Sequence, residues 1–116
     1  MTKARTEITL RQMADYAGEA YSLVQGKNRG DLDSNRLLNL SVVHLLEIVG
    51  EAASRIPKED RARYPQIPWS QIVNLRNRLV HGYDTINLDI VWEIATQDLP
   101  PLIAELEKIL EKEPGA

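Results

Sequence analysis

The chain has 116 residues, a formal net charge of −3, 43% hydrophobic but only 5% aromatic residues, and neither Cys nor Phe. That length holds one domain with a modest core, and the lack of Cys excludes thiolate metal sites, thiol nucleophiles and disulfides. The acidic balance excludes broad, non-specific coating of nucleic acid, which needs a large excess of Lys and Arg, while leaving room for a small basic cleft. A core built from Leu, Ile, Val and Ala favours helix-on-helix packing. The apolar runs fall short of a membrane span, and residues 1–7 carry no hydrophobic signal core. A soluble, cytoplasmic protein with no membrane partner is expected.

The spacing of Ile8, Leu10, Met13, Ala17, Ala20, Leu23 and Val24 predicts a first helix over 6–24. Gly26 and Gly30 break it. A longer second helix is expected through 55, capped by Asp33 or Ser34 and stopped before Pro57. Its apolar residues, Leu37, Leu38, Val42, Leu45, Leu46, Ile48, Val49, Ala52 and Ala53, cover about half of the circumference, as in a central helix with neighbours on two sides. A short helix is expected over 58–63. Pro68 is well placed in the first turn of the next helix. A turn at 84–87 leads to a last helical stretch over 88–111, which Pro100 and Pro101 should kink or split near Asp98, whose side chain could cap the second part. Residues 113–116 should fray. The whole reads as one all-α bundle of four main helices plus a short one over 1–116, with no repeat and no strand pattern.

The most informative run is Arg76-Asn77-Arg78-Leu79-Val80-His81-Gly82-Tyr83. If the segment is one helix from Pro68, then Ile72, Val73, Leu75, Leu79 and Val80 form an apolar arc, with Arg76 at its middle and Arg78 on the polar side. A guanidinium in an apolar stripe needs carboxylates, a phosphate or a partner chain. His44, Glu47 and Glu51, three and four residues apart on the second helix, form an ionisable stripe that is either merely solvated or supplies a carboxylate to hold Arg76. His81 taken alone reads as a helix-end cap or a surface residue.

In company the reading sharpens. An arginine to stabilise a dianionic phosphorane, a histidine to move protons and a nearby tyrosine hydroxyl suit RNA cleavage by its own 2′-hydroxyl. That reaction needs a base and an acid, and a two-fold dimer would bring a second His81 to the cleft. Metal binding is the competing chemistry for His44, Glu47, Glu51 and His81. The Glu-x-x-His order of di-iron bundles is absent, however, so no metal and no cofactor are expected. Trp69 and Trp92 read as core or interface anchors.

At these residues the sequence resembles the HepT-like branch of the HEPN superfamily. The resemblance rests on Arg76-Asn77 followed by His81-Gly82-Tyr83, on residues 46–53, on Tyr64-Pro65-Gln66-Ile67-Pro68-Trp69, and on residues 88–94 leading to Asp98-Leu99-Pro100. It implies an all-α bundle that dimerises and a shared cleft that cuts RNA without a metal. Arg76 and His81 would be the catalytic pair and Asn77 a supporting polar residue; Glu47 and Glu51, from the spacing on the second helix, are expected as further supporting residues. It further implies a toxin of a type VII-like toxin–antitoxin pair, neutralised when a minimal nucleotidyltransferase transfers AMP to Tyr83, in a dimer or a larger heteromeric complex. The alternative from another class is a non-catalytic HEPN module that binds nucleotide or RNA, or scaffolds a nucleotidyltransferase. His44 has no role in the resemblance.

Overall fold

Thr2 starts the first helix: its hydroxyl accepts the Arg5 backbone N–H at 3.1 Å, satisfying one of the donors every helix start leaves open. The computed structural model describes residues 1–80 and 85–112, and the calls on the turn at Asp84 and on a frayed tail over 113–116 fall outside them. Helix α1 (Lys3–Val24) buries Leu10, Met13, Ala17, Ala20 and Val24 along one face. It ends at Gln25, and Gly26 follows at φ 74, the left-handed position that glycine occupies without steric cost.

A one-turn helix α2 (Asp31–Ser34) buries Leu32. It takes Asp33 and Ser34 into its own turn, so neither caps the next helix as expected. Asn35 does, with extended backbone and a side-chain oxygen that accepts from the Leu38 N–H at 3.0 Å. Helix α3 (Arg36–Ser54) is the central element, packed on α1 along one side and on the later helices along the other. By length and composition α3 is apolar enough to cross a membrane, with a mean hydropathy of 1.3, contrary to the sequence expectation. Its apolar run is the core stripe of the bundle, with Val42, Leu46, Val49 and Ala53 fully enclosed. Leu37, expected on that stripe, is 75% exposed.

After α4 (Lys58–Arg61), the Trp69 indole N–H donates to the Tyr64 carbonyl at 3.0 Å, and the half-buried ring packs against the core. The segment from Pro68 is not one helix. It forms α5 (Trp69–Val73) and α6 (Leu75–Leu79), interrupted at Asn74. Helix α7 (Leu88–Glu93) leads through a π-turn (Ile94–Asp98) into α8 (Leu99–Lys112). Pro100 and Pro101 have no N–H to offer the helical ladder. The chain responds by widening it, with the Leu99 N–H reaching five residues back to the Ile94 carbonyl. The interruption near Asp98 expected from the prolines is therefore present as a re-registered turn and not as a split, and Asp98 does not serve as the expected cap but pairs elsewhere. Leu99, Leu102, Leu106 and Ile109 close the core against α1. The described residues are thus all-α: the four main segments are α1, α3, α5–α6 and α7–α8, with α4 the short helix and α2 an additional turn.

Candidate active site

The interruption at Asn74 decides which arginine faces what. Asn74 has φ −92 and ψ 12, away from helical values, so α6 starts with a different phase from the one α5 would have given it. Arg76 therefore does not lie in the apolar arc. It is exposed, and it makes no ion pair or side-chain hydrogen bond among the described residues. Arg78, expected on the polar side, is the half-buried one, and it reaches across to Asp98 of the π-turn at 3.0 Å. Val80, expected in the arc, is 39% exposed.

Gly50 explains how close the broken helix lies to α3. A Cβ built there would stand 3.0 Å from the Ile72 carbonyl oxygen and 3.3 Å from Leu75 Cβ. Only glycine lets the backbone of the α5–α6 junction approach α3 this closely. Directly beside that contact opens a cleft of about 520 Å³, with His44, Glu47 and Glu51 on the α3 wall and Arg76 and Asn77 on the α6 wall. Ile48, Gly50, Ser54 and Val73 complete the lining. The stripe predicted on the second helix and the first two residues of the motif therefore meet at one opening. The expected ion pair between Arg76 and that stripe does not form among the described residues. Glu51 lies 3.7 Å from Arg55, on its own helix, instead.

The cleft thus joins a guanidinium with open hydrogen-bonding capacity to a carboxamide, an imidazole and two carboxylates. Such a set can grip a phosphodiester from the Arg76 side and exchange protons from the His44 side. Among the described residues no group of three or more His, Asp or Glu side chains is gathered to hold a metal ion.

His81, Gly82 and Tyr83 lie outside the described residues. The chain on both sides of them is fixed. Val80 pairs with Ile86 in an antiparallel bridge, and the Asn87 N–H donates to the Leu79 carbonyl at 2.7 Å. The Asn87 side chain then caps α7 by accepting from the Asp89 and Ile90 N–H groups at 3.1 and 3.2 Å. Arg29 ties this corner to the α1–α2 turn through Asp89 at 2.7 Å and Asp33 at 2.9 Å. The hydrogen bond to Asp89, with the nearby Asp33 charge, raises the Arg29 pKa above its ordinary value. Sequence reasoning gave no role to Gly50 or to this clamp. A lone glycine inside a helical pattern is a signal of close approach, whereas nothing local marks Arg29 as the partner of a residue so distant in the chain.

The all-α bundle of the described residues agrees with the HEPN architecture that the sequence resemblance implied. The Ribonuclease HepT-like family model matches residues 13–109, and the chain belongs to that family. It is 30% identical to a candidate RNase of Methanocaldococcus jannaschii, over 96% of this chain and 92% of the relative. It is 36% identical to a candidate RNase of Caldanaerobacter subterraneus subsp. tengcongensis, over 78% and 80%. A third relative, from Thermococcus cleftensis, carries the name ribonuclease HepT at the level of a probable assignment; it is 30% identical over 68% of this chain and 72% of its own. No solved structure matches the chain.

Proposed function

We propose that this protein is an endoribonuclease that cuts RNA by attack of the 2′-hydroxyl on the adjacent phosphodiester. The observation that carries the reading is Arg76, exposed and unpaired among the described residues, at the wall of a cleft large enough for a phosphodiester and its flanking groups. In the reaction the O2′–P bond forms and the P–O5′ bond breaks. Negative charge accumulates on the non-bridging oxygens of the phosphorane, where a guanidinium stabilises it most. Arg76 supplies the compensating positive charge and Asn77 a neighbouring polar contact, while Glu47 and Glu51 are supporting polar residues on the facing wall. His81 transfers a proton. With an internal nucleophile and Arg76 for charge, the scheme requires no metal ion. The RNase names of the relatives support the same reading.

The protein acts in this reading as the toxin of a toxin–antitoxin pair. A minimal nucleotidyltransferase silences it by placing AMP on Tyr83, two residues after His81 in the sequence, which adds about one negative charge and a purine that oppose binding of an RNA phosphate. The active form is a homodimer whose copies bring their motifs to a shared cleft. Exposed Leu37 and Leu40 on α3 and Val80 at the end of α6 give it apolar contact area.

The test is cleavage by His81→Ala and Arg76→Ala. Each should lose about 10²-fold or more in rate while remaining folded. Because Arg76 holds no carboxylate, its removal leaves no uncompensated buried charge. Cleavage by His81→Ala at the parent rate would remove the catalytic assignment.

A further inference from the structure

Cleavage through the 2′-hydroxyl involves two proton transfers, one from O2′ and one to O5′. The sequence holds only two histidines. His44 stands outside the Arg76 to Tyr83 motif, yet it lines the same cleft as Arg76 and Asn77, from the opposite wall. Its neighbours Val43, Leu45 and Leu46 are buried, while His44 itself is exposed toward that opening, so packing gives it no structural task. The charged groups around it are Glu47 and Glu51 on its own helix, Glu51 lying 3.7 Å from Arg55, and Arg76 across the cleft on α6.

Among the described cleft residues, His44 is the one imidazole, the side-chain type best suited to both accepting and donating a proton in catalysis. In-line displacement also places the attacking and leaving oxygens on opposite sides of phosphorus, so base and acid are best supplied from different elements. His44 belongs to α3, whereas His81 follows the end of α6 by two residues.

We propose that His44, on the α3 wall of the cleft, is a second proton-transfer residue of this reaction, acting with His81 of the shared site. This rests on the ribonuclease reading above. One histidine accepts the proton from O2′ as the O2′–P bond forms. The other donates a proton to O5′ as the P–O5′ bond breaks. The products are a 2′,3′-cyclic phosphate and a 5′-hydroxyl, and the net proton count is unchanged.

The experiment first maps the linkage that the parent protein cuts in total cellular RNA. A synthetic RNA spanning that linkage is then cut under single-turnover conditions from acid to alkaline pH by the parent, His44→Gln and His81→Ala. The exposed position of His44 leaves the fold intact in His44→Gln, which circular dichroism and a thermal melt check directly. The parent should show a bell-shaped profile with one limb for each histidine. His44→Gln should fall about 10²-fold and lose one limb. Loss of the alkaline limb identifies His44 as the acid, and a bridging 5′-sulfur, whose leaving thiolate needs no proton, should then recover most of the rate. Loss of the acid limb identifies it as the base. A parent-like rate for His44→Gln, or a slower rate with both limbs intact, overturns the proposal. If His81→Ala is inactive in that same experiment, the ribonuclease reading survives the failure. A parent that cuts no linkage in cellular RNA overturns both.

Discussion

Gly50→Ala is a sensitive probe of how the site is built, because two effects of known sign compete in it. Within a helix the change from Gly to Ala is worth about 1 kcal/mol in the folded state's favour. The new methyl, however, would stand 3.0 Å from the Ile72 carbonyl oxygen and 3.3 Å from Leu75 Cβ, both fixed by packing. Overfilling of this kind costs about 1–3 kcal/mol. The expected net change is a loss of about 0–2 kcal/mol, or a fall in Tm of up to about 8 °C for a domain of this size. The α5–α6 junction must retreat by a few tenths of an ångström, and Arg76 stands on α6 just past it. A misplacement of about 1 Å costs about 10²-fold in rate, so a three- to tenfold loss of RNA cleavage is expected. Gly18→Ala is the control: a Cβ there meets nothing within 4 Å, so it should gain stability and leave cleavage unchanged. Thermal melts and single-turnover cleavage of both variants check this. A Gly50→Ala protein as stabilised as Gly18→Ala, with the parent's cleavage rate, would refute the claim that this contact positions Arg76.

Asn35→Ala removes the side-chain cap of α3 and should cost about 1 kcal/mol in a denaturant melt, with no change in cleavage, since Asn35 lies outside the cleft. Tyr83→Phe should retain much of the ribonuclease activity but escape AMP transfer by the cognate nucleotidyltransferase and ATP. Intact-mass measurement after that incubation decides it, and equal AMP addition to parent and variant would move the modification elsewhere.

Much of the fold was legible because its determinants are local. The periodicity of α1 and α3 and the breaks at Gly26 and Pro57 speak through neighbouring residues alone. The errors lie where tertiary contact overrides period. The sequence from Pro68 to Leu79 reads as one amphipathic helix, and that reading sends Arg76 inward and Arg78 outward. Close packing on Gly50 accompanies a break at Asn74 that reverses the two, leaving Arg78 to pair with Asp98. Pro100 and Pro101 were expected to kink or split the last helix near the same Asp98, with its side chain free to cap the second part. A π-turn accommodates the prolines without any split, a solution that no propensity scale marks. For the cleft, the spacing of His44, Glu47 and Glu51 correctly put them on one stripe. That this stripe faces Arg76 and Asn77 depends on how α3 and α6 dock, which one-dimensional pattern does not carry.

The central claim is that RNA is cut by its own 2′-hydroxyl with protein side chains supplying the charge and the protons. The most direct measurement is the chemistry of the ends left when the purified protein cuts RNA in excess EDTA. Undiminished cleavage with 2′,3′-cyclic phosphate and 5′-hydroxyl ends is the predicted result. Ends bearing a plain 3′-hydroxyl, or cleavage abolished by the chelator and restored by a divalent cation, would contradict it.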